Sequence, residues 1–252
     1  MRGGLCWLEG GMRADYTLPR LYLDVLLSGD LDLTREQAHY LGTVLRKRVG
    51  DRVRLFNARD GEWAAEVISA DRKSMQLRVQ EQLRAPHPVP DIRLLFAPLR
   101  RHRTATVLEK ATELGVRTLQ PVITARTQHP KFNLERGQAQ IIEAAEQTER
   151  LNLPELRAPI TLEGVLESSR TLIFADEGGD VPMALPAVSG LSLPLDILIG
   201  PEGGFMDEER DSIRARAHVH PVGLGPRILR ADTAAISLLT LVQATVGDWQ
   251  HI

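Results

Sequence analysis

The sequence predicts an α/β protein of two domains, a small N-terminal β-barrel followed by a domain with a mainly parallel sheet. Before residue 84, short strands of alternating polarity are separated by turn residues, a pattern typical of small barrels. Three prolines follow within residues 85–90 and favour a stiff, extended linker. Strand-like and helix-like segments then alternate, which indicates a parallel sheet covered by helices on both faces.

These observations divide the 252 residues into four segments. Residues 1–11 are Gly-rich and aperiodic, so we expect either a disordered extension or a start-site extension ahead of a true start at Met12. Residues 12–84 form the β-barrel, with one helix over 35–45 that residues 32–34 cap. Residues 85–90 are the linker, and residues 91–252 form the second domain.

The second domain shows a regular succession of elements. Its apolar runs predict strands over 92–97, 118–123, 171–175, 195–199 and 219–224. Helical periodicity indicates helices over 104–114, 135–151, 162–167, 207–217 and 233–246. The last helix is apolar nearly all round, so we expect deep burial, with Asp232 or Thr233 as its cap.

Composition excludes several classes of protein. The single cysteine, Cys6, permits neither an intramolecular disulfide nor a zinc site built on several thiolates, and no His-Glu-x-x-His spacing occurs, so no metal is expected. No run of about 18 apolar residues indicates a membrane span, and the first residues lack signal-peptide character. We therefore expect a cytoplasmic protein without membrane association.

Positive charge is concentrated locally, although the formal net charge is −2. Residues 46–59 hold six basic side chains and one acidic side chain, and a second basic cluster consists of Arg93 and residues 100–103. A local basic face on a neutral protein can still bind phosphate. Solvated surface charge is the alternative interpretation of each cluster. Aromatic residues make up 4%, which argues against single-strand binding by base stacking.

Two glycine-rich loops follow predicted strands, where ligands of α/β sheets bind. Residues 200–205 read Gly-Pro-Glu-Gly-Gly-Phe, and residues 224–230 read Leu-Gly-Pro-Arg-Ile-Leu-Arg. Neither loop is a Gly-x-Gly-x-x-Gly or Walker motif, so a nucleotide-phosphate cradle is disfavoured. Arg230 precedes a buried helix, where an arginine has a charged partner or an anionic ligand. An interdomain salt bridge would explain Arg230 equally well.

The order of these loops resembles the SPOUT superfamily of S-adenosylmethionine-dependent RNA methyltransferases. Within it, the match is to the RsmE family, the 16S ribosomal RNA uridine-N3 methyltransferases. Residues 110–116 and 143–150 are similar to further motifs of that family, although a Lys110–Glu113 ion pair and a solvated helix face explain them too. Residues 39–51 resemble its PUA-like RNA-binding domain.

The resemblance implies a C-terminal trefoil knot, a homodimer, and a pocket that three loops form for S-adenosylmethionine. On this basis the cofactor-binding residues are Phe174, Ala175, Asp176, Leu198, Ile199, Gly200, Pro201, Glu202, Gly203, Gly204, Leu224, Gly225, Arg227, Ile228, Leu229 and Thr233. Apolar members of this set would form the slot that adenine requires.

The resemblance further implies methylation of uracil N3 in the 16S RNA of the small ribosomal subunit. Arg230 is the candidate for stabilising charge on uracil, and Glu202 and Asp232 are candidate proton acceptors. The candidate RNA contacts are His39, Arg46, Lys47, Arg48, Arg100, Arg101, Lys110 and Arg150. Two alternatives remain: a SPOUT enzyme acting on transfer RNA or another base, and a non-catalytic RNA-binding factor in ribosome assembly.

Overall fold

The computed structural model of the protein describes residues 17–71 and 74–251. The chain separates into two compact units, one up to His87 and one from Pro88 onward. That division falls inside the segment 85–90, for which the sequence predicts a linker. The predicted extension, residues 1–11, lies outside the described residues. No helix within the described ranges is long and apolar enough to cross a membrane.

The N-terminal unit is a five-stranded sheet with a buried apolar side. Its strands are β1 (Arg20–Tyr22), β2 (Asp30–Asp32), β3 (Arg52–Asn57), β4 (Gly61–Ala70) and β5 (Met75–Arg84). The order is β1-β3-β4-β5-β2, in which β1 runs parallel to β3 and the other pairs are antiparallel. Leu41, Val53, Leu55 and Leu77 are fully buried at the centre of its core.

The helix predicted over residues 35–45 is divided into two parts. The Thr34 hydroxyl accepts a hydrogen bond from the Gln37 amide at 3.3 Å, and the Gln37 side chain accepts one from the Thr34 amide at 3.0 Å. This capping box begins helix α1 (Arg35–His39), which continues as a wider π-helical turn over Tyr40–Val44. Arg46 then adopts a left-handed φ of +57°, which ends the helical segment.

A buried carboxylate ties the strands of this sheet together. The Glu62 side chain is fully buried and lies 2.6 Å from Arg20, 2.8 Å from Arg84 and 3.5 Å from Arg54. A buried charge is tolerated only when partners compensate for its lost hydration. These four residues belong to β1, β3, β4 and β5, so the cluster joins four strands of the unit.

The C-terminal unit contains a parallel sheet of seven strands. They are β6 (Ile92–Phe96), β7 (Thr118–Ile123), β8 (Glu155–Leu156), β9 (Ile160–Thr161), β10 (Thr171–Ala175), β11 (Leu195–Ile199) and β12 (Val219–Val222). The main path runs β12-β10-β11-β6-β7-β8, and β9 also pairs with β7. Every strand pair in the unit is parallel, so all carboxyl ends of these strands lie at one edge.

Helices cover both faces of this sheet, as the alternating pattern predicts. They are α2 (Arg101–Glu113), α3 (Leu134–Gln147), α4 (Leu162–Leu166), α5 (Ala184–Val188), α6 (Asp207–Arg214) and α7 (Ala231–Thr245). Apolar side chains of α2, α3, α5 and α7 form one core with the sheet, and those of α4 and α6 form a second core on the other face.

The start and burial of the last helix correct two expectations. Helix α7 begins at Ala231 after Arg230, whose side chain makes no capping hydrogen bond, so neither Asp232 nor Thr233 is the cap. The burial of α7 is also one-sided. Leu238 is fully buried, but Ile236 and Leu241 are only partly covered. Part of the apolar surface of α7 is therefore left uncovered.

Candidate functional site

Three loops leave the carboxyl edge of the parallel sheet next to one another, because β10 lies between β11 and β12. The loop after β10 and the loop after β12 are joined directly. The Gly223 amide donates to the Pro182 carbonyl at 2.9 Å, and the Ala184 amide donates to the Gly223 carbonyl at 3.0 Å. These bonds hold the two loops as the walls of one cavity.

That cavity, here called the loop pocket, has a volume of about 440 Å³. It is lined by Ala175, Asp176, Glu177, Gly179, Val181, Met183, Val222, Gly223, Leu224, Gly225, Pro226, Arg227, Ile228, Leu229 and Ala234. The size is within the range of roughly 300–1,000 Å³ typical of small-molecule sites. Seven predicted cofactor residues are in this lining: Ala175, Asp176, Leu224, Gly225, Arg227, Ile228 and Leu229.

The loop after β12 lines the loop pocket with backbone groups as well as side chains. Gly225 has a φ of +114°, which an L-residue rarely adopts, so glycine is required here for the path of the loop. Among the described residues, no backbone amide of Leu224–Leu229 donates to a backbone carbonyl. Ile228 is 87% exposed beside these amides. This stretch therefore offers hydrogen-bond donors and apolar surface together.

Asp176 forms the buried end of the opposite wall. Its carboxylate receives hydrogen bonds from Arg214 at 2.7 Å and from the Gly178 amide at 2.9 Å, and Arg210 lies 3.3 Å away. The side chain is almost inaccessible. Because protein groups already occupy this carboxylate, Asp176 shapes the pocket chiefly by holding the loop after β10 against α6.

The glycine-rich loop at residues 200–205 is placed differently from the prediction. It is absent from the lining of the loop pocket, although a Cβ at Gly204 would clash with the carboxylate of Glu177, which is in the lining. A Cβ at Gly200 would lie 2.5 Å from the ring of Phe205, so glycine is needed there for packing. Phe205 is buried against Phe174, with ring centroids 5.2 Å apart.

Arg126, which the sequence analysis missed, fastens this loop. Its guanidinium donates to the Gly203 carbonyl at 2.9 Å and to the Phe205 carbonyl at 3.3 Å. Glu209 accepts hydrogen bonds from the amides of Ala125 and Met206, at 2.7 and 2.9 Å. The loop after β7 and the 200–205 loop are thus connected, although Arg126 and Gly203 are 77 residues apart.

In addition to residues 200–204, four predicted cofactor contacts lie outside the lining of the loop pocket, for identifiable reasons. The side chains of Phe174, Leu198 and Ile199 are buried in the cores that flank the sheet. Thr233 is exposed in the first turn of α7 and is not part of the lining. These residues position the surrounding loops through the strands and helix that carry them.

The three candidate catalytic residues have different surroundings. The Arg230 side chain is exposed at the start of α7, and Glu202 is exposed in the 200–205 loop. Neither side chain forms a hydrogen bond or ion pair with another described residue. Asp232 instead forms an ion pair with Arg103 at 2.9 Å, which places its carboxylate in a structural contact.

Two predicted RNA contacts in the C-terminal unit, Lys110 and Arg150, have protein partners in the structure. Lys110 lies 2.7 Å from both Glu109 and Glu113, and these hydrogen bonds raise its pKa. Arg150 donates to the carbonyls of Thr112, Val116 and Asn152, and burial lowers its pKa to about 10. Lys110 thus pairs with carboxylates of its own helix α2, and Arg150 binds backbone carbonyls at the C-terminal end of α2 and beyond it.

The remaining RNA candidates are accessible. In the N-terminal unit, His39, Arg46 and Arg48 are exposed and Lys47 is partly so. Arg48 also donates to the carbonyls of Gly42 and Lys47, both at 3.1 Å, which fixes its side chain over the π-helical turn. Arg100 and Arg101 are exposed at the start of α2 in the other unit. Within the described ranges, no group of His, Cys, Asp and Glu side chains could hold a metal ion.

Comparison with known proteins agrees with the geometry. The RNA methyltransferase domain family matches residues 85–243, and the RNA methyltransferase PUA domain family matches residues 33–80. Ribosomal RNA small subunit methyltransferase E of Rickettsia conorii is 32% identical over 239 residues, which cover 92% of this chain and 98% of that relative. The chain belongs to the ribosomal RNA small subunit methyltransferase E family. The resemblance to the RsmE family and the predicted fold class are thereby confirmed.

Three further proteins extend the comparison. The protein of the same name from Synechocystis is 34% identical and covers 87% of this chain and 74% of the relative. An RsmE from Neisseria gonorrhoeae, solved with bound S-adenosyl methionine, has a TM-score of 0.77 at 27% identity, over 92% of this chain and 99% of that one. A methyltransferase of Legionella pneumophila, solved with the same cofactor, has a TM-score of 0.80 at 30% identity, over the same shares. The trefoil knot stays a prediction for this chain.

Proposed function

We propose that this protein transfers a methyl group from S-adenosylmethionine to N3 of a uridine in the 16S RNA of the small ribosomal subunit. The observation that carries the proposal is the loop pocket at the carboxyl edge of the sheet, in a chain of the RsmE family. The protein would act in the cytoplasm, where ribosomal subunits are assembled. No observation favours a transfer RNA substrate or a purely structural role.

The loop pocket fits the proposed cofactor chemically. Adenine needs an apolar slot with backbone hydrogen-bond partners, and the segment Leu224–Leu229 supplies apolar side chains beside unengaged amides. Arg227 is exposed in the same lining and can pair with the carboxylate of the methionine part. The volume of about 440 Å³ matches a ligand of this class.

Arg230 is suited to act on the uracil. S-adenosylmethionine, when bound, supplies a methyl group that is already activated on a sulfonium. Uracil N3 becomes a good nucleophile only as its proton leaves, and negative charge then develops on O2 and O4. The guanidinium of Arg230, which has no described protein partner, would stabilise that charge. Its position just after the pocket lining separates this role from cofactor binding.

Glu202 is the better of the two carboxylates to accept the N3 proton. Asp232 is held by Arg103, while Glu202 is exposed and forms no ion pair with a described residue. The hydrogen bonds from Arg126 fix the loop that carries Glu202 without touching its side chain. A carboxylate on such a fixed loop can be presented to a base that is splayed out of its stack.

The N-terminal unit would supply much of the RNA affinity. Arg46 adopts a φ of +57°, an unusual conformation for a residue with a long side chain. It directs the basic run Arg46–Arg48 out of the π-helical turn, beside Val44 and Val49, which are 59% and 62% exposed. Cationic groups on such a turn can contact phosphates while apolar neighbours face the bases.

A homodimer would cover the apolar side of α7. A groove of about 400 Å³ lies between α5 and α7, lined in part by Met183, Leu185, Ile236 and Leu241. Met183 and Leu185 are each about half exposed. Met183 also lines the loop pocket, so a second copy seated on this groove would border the cofactor site.

Methyl transfer to ribosomal RNA tests the proposal. Calorimetry should show that the protein binds S-adenosylmethionine without RNA. Labelled methyl should enter small ribosomal subunits from a strain that lacks the protein, and digestion of the RNA should yield N3-methyluridine. A product methylated on ribose or on another base would contradict the uracil-N3 assignment. Failure to bind the cofactor would instead favour a non-catalytic assembly factor.

A further inference from the structure

A second cavity, here called the basic pocket, opens at the same edge of the parallel sheet. It has a volume of about 280 Å³ and lies where β6 and β7 end, at the starts of α2 and α3. Its polar lining includes Arg101, Thr104, His129, Lys131, Asn133 and Arg136. We propose that this pocket binds a phosphate group of the RNA backbone and so anchors the substrate beside the methyl-transfer site. The inference rests on the proposed function and adds to it a specific substrate contact.

All the charged side chains that line the basic pocket are positive. Arg101, Lys131 and Arg136 contribute positive charge, His129 adds a further donor, and the lining contains no carboxylate. None of these four side chains forms an ion pair with another described residue. Some other arginines of this unit are paired with carboxylates, as Arg103 is with Asp232. Cations held together without a counter-ion repel one another, and an anionic ligand relieves that repulsion.

The walls of the basic pocket are built by packing contacts. Phe132 lies edge-on to Phe96, with ring centroids 6.1 Å apart. A Cβ at Gly137 would lie 3.3 Å from the Phe132 ring and 2.7 Å from Leu156, so this glycine lets Phe132 pack against α3. The packing of Phe132 therefore fixes the backbone of its two neighbours in the chain, Lys131 and Asn133.

The opposite wall is equally well defined. The Thr104 hydroxyl accepts a hydrogen bond from the Leu99 amide at 2.9 Å and donates to the Leu99 carbonyl at 3.0 Å. This contact fixes the first turn of α2 next to Arg101. Asn133 caps α3 by accepting from the Arg136 amide at 2.9 Å. The helices have 13 and 14 residues, so the positive ends of two full helix dipoles add to the side-chain charge.

The position of the pocket favours RNA backbone over a small free anion. The cationic side chains of the lining are exposed. A site for one phosphate of an RNA chain must be open in this way, because the chain continues on both sides of that phosphate. Because the strand order is β12-β10-β11-β6-β7, the two pockets lie about three strand spacings apart, roughly 14 Å along the sheet edge. A few nucleotides of single strand span that distance. A uridine presented near the loop pocket would therefore leave a neighbouring phosphate at the basic pocket.

Paired double variants test the inference. Lys131→Ala with Arg136→Ala removes two charges from the pocket. Arg117→Ala with Arg216→Ala removes two charges from exposed positions ahead of β7 and β12, at the opposite sheet edge. Filter binding to small ribosomal subunits should show about tenfold weaker affinity for the pocket variant. The plot of log affinity against log salt should be shallower by about 1 to 2. The control variant should match the wild type.

Further measurements separate this inference from the proposed function. In the pocket variant, KM for RNA should rise about tenfold, while kcat and the calorimetric affinity for S-adenosylmethionine stay within about twofold. Lys131→Arg with Arg136→Lys should retain most binding. An unchanged salt slope, or an equal loss in the control variant, would overturn the phosphate site. Tight binding of inorganic phosphate with unchanged RNA affinity in the pocket variant would also overturn it. A wild-type protein that binds subunits but transfers no methyl would contradict only the proposed function.

Discussion

Arg103 donates two hydrogen bonds to the carboxylate of Asp232, at 3.0 and 2.9 Å, and so joins the first turn of α2 to the first turn of α7. Both side chains are about four-fifths buried, at 19% and 18% exposure. Asp232 also accepts a hydrogen bond from the Thr233 amide at 3.1 Å. The carboxylate thus orients the start of α7, and with it Arg230, instead of reaching a substrate.

Asp232→Asn should accordingly affect stability more than proton transfer. Because the pair is only partly buried, we expect a loss of about 1 kcal/mol in the free energy of unfolding. We expect kcat for methyl transfer to stay within a few-fold, with the same pH dependence. Denaturant unfolding and a pH–rate profile measure both effects. A double-mutant cycle with Arg103→Ala should be non-additive. Disappearance of a limb of the pH profile would show that Asp232 accepts the proton after all.

Arg230→Ala should damage turnover but not cofactor binding. Loss of one preorganised charge-stabilising donor lowers kcat by roughly 10²–10³. Arg230→Lys should restore part of the rate, since an ammonium cannot reproduce the planar fork of a guanidinium. Arg227→Ala is the matched variant, because Arg227 lines the loop pocket and Arg230 does not. It should weaken S-adenosylmethionine binding instead. Equal cofactor losses in both variants would remove the separation of roles.

Gly225→Ala should disrupt the loop pocket through the backbone alone. A Cβ at Gly225 would meet no atom within 4 Å, but its φ of +114° is unfavourable for alanine by about 1–3 kcal/mol. We expect at least tenfold weaker cofactor binding by calorimetry. Gly190→Ala is the control, since Gly190 also has open space around its Cβ position and its φ is not left-handed. If both variants bind the cofactor normally, the path of this loop does not matter for the ligand.

Asp60 should make the N-terminal unit sensitive to acid. Hydrogen bonds from Arg59, the Leu27 amide and Asn57 lower its pKa from 3.8 to about 2. Because the folded pKa is the lower one, the contribution is complete above about pH 4 and is lost as pH falls towards 2. Asp60→Asn should remove that part of the acid dependence in unfolding experiments. Asp71→Asn, at an exposed position, should leave the slope as it is in the wild type.

The sequence located the loops of the site but not their contacts. Buried apolar runs ending in glycine-rich segments indicate where strands end, and the parallel arrangement places those ends at one edge. A side chain lines the pocket only if it faces the cavity. The side chains of Phe174 and Leu198 instead point into a hydrophobic core, so they are absent from the lining. Residues adjacent to a pocket in sequence therefore need not touch its ligand.

Hydrogen bonds between residues far apart in the chain could not be predicted from local sequence patterns. Arg126 reaches Gly203 across 77 positions, and Arg103 reaches Asp232 across 129. A basic residue near a helix start looks the same in the sequence whether it is paired or unpaired. The same ambiguity explains Arg150. The sequence places it on a stripe of the helix predicted over 135–151, but α3 ends at Gln147 and Arg150 donates to three backbone carbonyls.

The pairing of β6 with β11 has a consequence for how the protein is made. Arg93 on β6 donates to Asp196 on β11 at 3.0 Å, across 103 residues of chain. At ordinary elongation rates, synthesis of that interval takes roughly 5–20 s, during which β6 waits without its inner neighbour. A chain that terminates early would keep this central strand edge open to pairing with other chains. The parallel sheet is therefore completed only after β11 has been synthesised, and products that end before β11 are at risk of aggregation.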